Sequence, residues 1–299
     1  MMLQFLESLA KRMIPKRSLS EETKENTADE EAILSTTSSV QVGGDPASCS
    51  GNISPATDLR VPPNVVIKGT GVNLLDSQIL VEDGSELILF DDVQVQAEIV
   101  IKGNSRVVIG RGSTMRLPFC RVTEGSEVTI GEYVQFESPD LAPASLRVHR
   151  GIATFCDRCR VKAEVLVRFG GRLSVGEHSL IQYGSEVRCE ELVEIGSCTI
   201  ISYDVCIYDT DTHSTDWRKR REIILAGYPD EVERPATKPV RIGNDVWIGK
   251  GATVTKGARI GDRCRIGIRT SVGAIEVPSD STVVAATCRI IARPQENSE

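Results

Sequence analysis

The segment DTDTHSTDW at residues 209–217 places a histidine beside two aspartates. An imidazole takes up and releases a proton near neutral pH, so His213 is a candidate general base for removing the proton of a hydroxyl group. Asp209 and Asp211 are candidates to orient that imidazole or to bind a polar substrate. A lone histidine is more often an ordinary surface or core residue, and this interpretation fits His149 and His178.

Cys156 and Cys159 form a CxxC pair, the second pattern that could carry chemistry. A zinc site needs a second pair or histidines at ligand spacing, and neither follows. The nine cysteines are irregularly spaced, which is typical of a reducing compartment rather than of a disulfide framework. We therefore expect no metal site here, and we expect Cys159 to pack inside the fold.

An aliphatic or aromatic residue recurs at every sixth position over much of the chain. The series are Phe155, Val161, Val167, Leu173; Val175, Ile181, Val187, Val193; Ile195, Ile201, Ile207; and, after a gap, Ile242, Ile248, Val254, Ile260, Ile266, Val272. Small residues follow four positions later, among them Cys159, Ser179, Ser185, Thr199 and Cys264. Short strands bent into a triangular coil, with one inward side chain per side, produce a step of six. The repeat predicts a β-solenoid of roughly nine coils.

The repeat fails at the histidine. Its period assigns Asp211 to a small position and His213 to the next aliphatic position, and the long insertion 213–240 begins there. Elsewhere in this region only Glu191 breaks the small position. Local failures of a consistent pattern are expected at functional sites. The basic run 218–221 in the insertion is either a solvated face or a surface that attracts an anionic ligand.

Composition excludes several functional classes. The net charge is −7 and aromatic residues make up 4% of the chain, so the basic stripe and stacking platforms of a nucleic-acid-binding protein are not expected. The sequence has neither a run of about eighteen apolar residues nor the pattern of a secretory signal. We expect a cytoplasmic protein.

The chain divides into segments of different character. Residues 1–18 have apolar residues at helical spacing with basic residues nearby, which predicts an amphipathic helix that packs on the protein or lies on a membrane surface. Residues 19–60 are predicted to be a flexible, disordered linker. The solenoid is predicted over 61–291, and 292–299 form a tail. The flat sides and end edges of an isolated prism predict oligomerisation.

The repeat IGNDVWIGKGATVTKGARIGDRCRIGIRTSV follows DTDTHSTDW and the insertion, and it precedes EVPSDSTVVAATCRII. This arrangement resembles the left-handed β-helix hexapeptide acyltransferases, in their branch of bacterial sugar and polysaccharide O-acetyltransferases. The resemblance covers about residues 175–291 well. It implies an all-β, left-handed parallel β-helix, a homotrimer with active sites between neighbouring prisms, and acetyl-CoA as acyl donor beside the C-terminal coils.

The resemblance also implies roles for individual residues. His213 falls on the catalytic histidine of the family, the base for direct transfer to a hydroxyl group. Trp247 resembles the tryptophan that lines the site. The segment with Gly249, Gly251 and Ala252 resembles the backbone along which the pantetheine arm passes. Coenzyme phosphates would meet Ser271, Arg289 and Arg293. The segment AATCR (285–289) lacks the glycine and proline of the family, which leaves open how the adenine end is held and whether the donor is a different acyl group.

The resulting prediction is an acetyl-CoA-dependent O-acetyltransferase acting on a saccharide in surface polysaccharide biosynthesis. Its acceptor would be a saccharide or a lipid-linked or nucleotide sugar, and residues 1–18 would allow peripheral contact with the inner face of the membrane. N-acetylation of an amino sugar is an alternative that the sequence does not separate. A catalytically silent β-helix, used as a scaffold or regulatory subunit, is another. The presence of both His213 and Trp247 favours the enzyme.

Overall fold

The computed structural model describes residues 52–53, 58–60 and 65–285, except 76, 83, 139–143 and 228–232. The predicted helix 1–18, most of the predicted linker 19–60 and the predicted tail 292–299 lie outside the described residues. Two short strands fall at the end of the predicted linker, so strand pairing begins upstream of Val61.

Twenty-nine strands and one helix follow one another along the described chain. In chain order they are β1 (Asn52–Ile53), β2 (Asp58–Arg60), β3 (Val65–Ile67), β4 (Asn73–Leu74), β5 (Gln78–Val81), β6 (Glu86–Leu89), β7 (Gln94–Ile101), β8 (Arg106–Ile109), β9 (Thr114–Thr123), β10 (Glu127–Ile130), β11 (Gln135–Glu137), β12 (Ser145–His149), β13 (Ile152–Phe155), β14 (Arg160–Val161), β15 (Glu164–Val167), β16 (Arg172–Val175), β17 (Leu180–Ile181), β18 (Glu186–Cys189), β19 (Leu192–Ile195), β20 (Ile200–Ile201), β21 (Cys206–Tyr208), α1 (Trp217–Leu225), β22 (Val240–Ile242), β23 (Trp247–Ile248), β24 (Thr253–Thr255), β25 (Arg259–Ile260), β26 (Arg265–Ile266), β27 (Ser271–Val272), β28 (Glu276–Val277) and β29 (Thr282–Val283).

The strands stack into three faces of a parallel β-solenoid, because each strand pairs with the strand one coil away. Face 1 contains β1, β4, β11, β14, β17, β20, β23, β26 and β29. Face 2 contains β2, β5, β12, β15, β18, β21, β24 and β27. The long strands β7 and β9 run through both of these faces, and face 3 contains β3, β6, β8, β10, β13, β16, β19, β22, β25 and β28. Face 3 therefore has ten strands, where roughly nine coils were predicted.

The step of six in the sequence is confirmed by the burial of the side chains. Successive rungs of face 1 bury Phe136, Val161, Ile181, Ile201, Ile248 and Ile266, each at most 1% exposed. Phe136 packs edge-on against Phe155 of face 3, with ring centroids 4.8 Å apart. Each coil thus contributes one layer of a continuous apolar core.

The small positions hold adjacent coils together. The buried hydroxyl of Ser179 donates to the carbonyl oxygen of Gly196 at 2.7 Å, and that of Thr199 donates to Gly243 at 2.9 Å. The thiol of Cys159 lies 2.9 Å from the carbonyl oxygen of Gly176. Burial raises the pKa of Cys159 to about 12, so its thiol is a packing group, as predicted.

The corner between face 3 and face 1 is turned by a residue in the left-handed region in successive coils. Tyr133, Arg158, His178 and Cys198 occupy this position, with φ between 52° and 60° in each case: 56°, 59°, 58° and 55°. The corner directs a column of side chains along the edge of face 1. Among the residues that the structure describes, no helix has the length and apolar character needed to span a bilayer.

Candidate active site

The insertion leaves and re-enters the solenoid at one point, the corner between faces 2 and 3. Thr210 forms an isolated antiparallel bridge with Thr237. The amide of Lys238 donates to the carbonyl oxygen of Asp209 at 2.9 Å, and the amide of Asp211 donates to Ala236 at 3.0 Å. These bonds join the two ends of the insertion. The insertion is therefore residues 211–237 in the structure, where the sequence predicted 213–240. The next strand then continues the stack, since Val240 pairs in register with Val193.

This register explains the break in the repeat. Val193 follows Val187 by six residues, and the corresponding step from Ile207 would reach His213. The core position is instead filled by Val240, which is fully buried, after the chain returns from the insertion. His213 is therefore released from the core and lies exposed to solvent.

Asp209 supports the base of the insertion from inside the solenoid. It occupies the inward position that Cys189 holds one coil below, and it is fully buried. Its carboxylate accepts backbone N–H bonds from Glu190 at 2.8 Å and from Glu191 and Leu192 at 2.7 Å each. Burial raises the pKa of Asp209, while these three bonds act in the opposite direction. The carboxylate is thus engaged with backbone amides and does not face the solvent beside His213.

Beneath the insertion lies a buried acid that the sequence interpretation missed. Glu190 is 1% exposed, forms an ion pair with Arg168, and accepts a hydrogen bond from the hydroxyl of Thr210 at 2.8 Å. Glu191, which the repeat singled out, is half-buried. The deviation from the repeat at Glu191 therefore lies at the same corner of the coil, next to this buried acid.

Asp211 lies on the outer side of the insertion base and binds a lysine. Its carboxylate is 2.6 Å from the ammonium group of Lys256, in the next coil. Its carbonyl oxygen accepts the amide of His213 at 2.7 Å, across a tight turn in which Thr212 has φ 62°. Asp211 therefore fixes the backbone of His213, and Lys256 is a second residue that the sequence interpretation missed.

The imidazole of His213 has no hydrogen-bond partner within the described part of the chain. Neither aspartate orients it through a side-chain bond in the single chain. An exposed imidazole without a partner retains a lone pair with which it can accept a proton from a substrate.

The insertion, predicted as a loop, contains the helix α1. Asp216 caps its N-terminus by accepting the amide of Arg218 at 2.9 Å. No residue of the helix is buried, so its basic run is exposed to solvent. The guanidinium carbons of Arg218 and Arg221 lie 4.7 and 4.8 Å from the centre of the Trp217 ring. The exposed cations of α1 therefore follow His213 closely in the sequence.

Trp247 lies on face 1, far from the insertion around the coil. Its side chain is 49% exposed, and its indole N–H donates to the hydroxyl of Ser202 at 3.1 Å. In a three-faced coil, the corner between faces 2 and 3 lies opposite face 1. One chain therefore places Trp247 and His213 on opposite sides of the solenoid.

The small residues after Trp247 have structural reasons to be small. A Cβ on Gly249 would lie 2.8 Å from the amide nitrogen of Ile268 in the next coil. Gly251 has φ 68°, a left-handed turn conformation, and Ala252 is buried in the core. Ser271 lies exposed on face 2, whereas Arg289 and Arg293 lie outside the described residues. Stacking of the coils alone accounts for the two glycines and the alanine.

No cluster of metal-ligating side chains is present within the ranges that the structure describes.

Comparison with known proteins identifies the repeat. The profile of the bacterial transferase hexapeptide family (six repeats) matches residues 239–268, which include Trp247, Gly249, Gly251 and Ala252. This segment therefore carries the hexapeptide repeat of that family, as the sequence predicted. No curated protein matches the chain.

Several solved structures resemble the chain at low identity. The polySia-specific acetyltransferase NeuO is 17% identical, with 80% of this chain and 93% of that protein covered and a TM-score of 0.39. The hexapeptide-repeat-containing acetyltransferase VCA0836 of Vibrio cholerae O1 biovar eltor, complexed with acetyl-CoA, is 23% identical over 50% of this chain and 73% of its own, with a TM-score of 0.36. The polysialic acid O-acetyltransferase OatWY is 15% identical over 79% and 94%, with a TM-score of 0.32. TM-scores below 0.5 are too low to transfer a substrate from these proteins to this chain.

Proposed function

We propose that this protein is an acetyl-CoA-dependent O-acetyltransferase that acetylates a saccharide hydroxyl, with His213 as the general base. The observation that carries the proposal is the exposed imidazole of His213, which has no hydrogen-bond partner in the described part of the chain. It lies on an insertion that is hydrogen-bonded to the solenoid just before the hexapeptide-repeat segment. A scaffold has no need for a free histidine at this place. The hydrogen bonds at the base of the insertion fix the backbone position of His213, and its imidazole ring remains exposed to solvent.

The chemistry assigned to His213 is proton transfer. Its unpartnered ring nitrogen accepts the proton of an acceptor hydroxyl, whose oxygen then attacks the acyl carbonyl carbon. The imidazolium formed in this step returns the proton to the departing thiolate, so no covalent acyl-enzyme is required. The ion pair between Asp211 and Lys256 holds the turn before the histidine and thereby limits the positions of the ring.

The donor is proposed to lie along the outside of the C-terminal coils. Trp247 is about half exposed there on face 1, and Ser271 is exposed on the adjacent face 2, where it pairs with Thr253 of the coil below. These exposed groups fit an elongated ligand with an apolar arm. When bound, acetyl-CoA supplies the activated acetyl group as a thioester.

We further propose a homotrimer. Since one chain holds His213 and Trp247 on opposite sides of the solenoid, a site that needs both must combine two copies. A closed ring of three prisms with one repeated contact provides three such sites. A cytoplasmic location and a role in surface polysaccharide biosynthesis belong to the same proposal and rest on the sequence.

The proposal is tested by release of free coenzyme A thiol from acetyl-CoA in the presence of sugars, nucleotide sugars and polysaccharide fragments. We expect acceptor-dependent release by the wild type, and a decrease in kcat of roughly 10²- to 10⁴-fold in His213→Ala. His149→Ala is the matched control, since it removes another imidazole from face 2. Wild-type turnover in His213→Ala would refute the role of the histidine, and the absence of any acceptor that stimulates release by the wild type would refute the proposed reaction.

A further inference from the structure

A shallow groove of about 690 Å³ runs along face 1 and its edge, away from the insertion. Its lower end is lined by Tyr133, Arg158 and Arg160, and its upper end by His178, Leu180 and Ile200. Tyr133, Arg158 and His178 are the left-handed corner residues of successive coils, so the fold itself aligns them in a column.

The groove leads directly to the exposed tryptophan. Arg160, Leu180, Ile200 and Trp247 are successive rungs of one outward row, because each pairs in register with the next. At ~4.8 Å per rung, Arg160 and Trp247 are separated by about 14 Å. The cations therefore stand well beyond the reach of a single sugar ring placed against the indole.

The groove is positively charged in a protein whose net charge is −7. The guanidinium groups of Arg158 and Arg160 line it, and none of the residues that line it is acidic. Arg160 has no ion-pair partner in the described part of the chain, and Arg158 lies with its guanidinium carbon 5.4 Å from the centre of the Tyr133 ring. A guanidinium group held against an aromatic ring keeps its N–H donors free for an anion.

Of the four neighbouring acids, two are paired with other cations. Glu132 pairs with Arg111 at 3.6 Å, and Glu137 pairs with Lys162 at 2.8 Å. Asp157 accepts the amide of Glu132 at 2.8 Å. Glu177 is an exposed corner acid, and with Asp157 it adds to burial in raising the pKa of Cys156 at the end of face 3, across the corner from the groove. The cationic part of the groove is thus the pair of outward side chains Arg158 and Arg160, beside the two corner acids Asp157 and Glu177.

We propose that this groove binds an acidic oligosaccharide, with sugar carboxylates on Arg158 and Arg160 and apolar sugar faces on Leu180 and Ile200. The inference deepens the proposed function and rests on it, since it names an extended, anionic acceptor. The groove offers guanidinium groups at one end and apolar side chains at the other. An acidic carbohydrate chain can contact both, because it carries charged groups on its edges and C–H groups on its faces. The coils below Trp247 then serve as a track for the acceptor.

The test measures binding without turnover, so it is independent of acetyl transfer. Isothermal titration calorimetry would compare hexamers of galacturonic acid, glucuronic acid and sialic acid with the methyl ester of the galacturonic acid hexamer and with coenzyme A. We expect at least one acidic hexamer to bind the wild type, and Arg158→Gln/Arg160→Gln to weaken that binding by about tenfold or more. The neutral ester should bind about tenfold more weakly than the acid, and added salt should weaken the acid alone.

Arg172→Gln/Arg259→Gln is the matched control, because it removes two arginines from the strands of face 3. Equal weakening by the control pair would mean a general charge effect and would overturn the inference. So would the absence of binding by all three acidic hexamers, or a loss of coenzyme A binding alone in the groove variant. A changed oligomeric mass of the groove variant would show that a second copy covers this face and would also overturn the inference. If a hexamer binds as expected but no acceptor is acetylated, the groove stands and the proposed reaction fails.

Discussion

Two corners of the solenoid differ in how the chain passes from face 2 to face 3. At the lower corner the chain turns directly from Cys189 through Glu190 to Leu192, and Cys189 is a buried packing residue. At the upper corner, one coil above, Asp209 takes the inward position and the chain departs into the insertion. The stack itself is uninterrupted, because Val193 still pairs with Val240. A solenoid can therefore carry an insertion at a corner if a buried polar group closes its base.

Removal of that polar group should have a large effect on stability. Asp209→Ala leaves one buried and two partly buried backbone amides without their acceptor, and we expect a loss of about 3 kcal/mol in the free energy of unfolding. Cys189→Ala at the equivalent inward position should cost about 1 kcal/mol. Urea unfolding of both variants checks the difference. Equal losses would mean that the two corners are equivalent and that Asp209 has no special role.

Loss of the Lys256 contact should affect the histidine more than the fold. Both partners of the ion pair with Asp211 are partly exposed, so Lys256→Gln should change the free energy of unfolding by less than about 1 kcal/mol. We expect kcat to fall by roughly tenfold, because a displaced turn misplaces the base. Lys250→Gln, which removes an exposed pair with Asp204, is the control and should leave kcat unchanged. An equal or larger decrease in kcat in Lys250→Gln would contradict a specific role of Lys256 in positioning His213.

The smallest expected effect is a change in thiol reactivity at the lower corner. The pKa of Cys189 is raised by burial and, to a smaller extent, by the carboxylate of Asp209. Asp209→Asn removes that negative charge, so the pKa of Cys189 should fall and its alkylation at pH 8 should be several-fold faster. Cys120, buried with its pKa raised to about 12, is an internal reference that should not change. Mass spectrometry of labelled peptides distinguishes the two thiols.

The solenoid was predictable from the sequence because its coils repeat locally. Ile181, Ile201 and Ile248 could be assigned to the core, since one aliphatic residue per side follows from the period. The small positions were also predictable, and Cys159 and Cys264 are buried as expected. The start of the stack was less clear, because the strands at 52–60 are short.

The arrangement of the site was only partly predictable. The break in the period identified the corner and His213, but the contact of Asp211 with Lys256 joins residues 45 positions apart on two sides of the insertion. Likewise, burial of Glu190 depends on Arg168 in the coil below. The helix α1 has no buried face, so no core periodicity signalled it. Contacts between coils, rather than patterns within one coil, decide these details.

We propose that His213 of one copy and Trp247 of a neighbouring copy act together in one site. Co-expression of differently tagged His213→Ala and Trp247→Ala chains tests it most directly, with each variant alone as the reference. In a randomly mixed trimer, about one quarter of the sites would combine an intact histidine with an intact tryptophan. We expect coenzyme A thiol release to recover to about that fraction of the wild-type rate. Activity that stays at the level of the single variants, in mixed trimers confirmed by their tags, would contradict it.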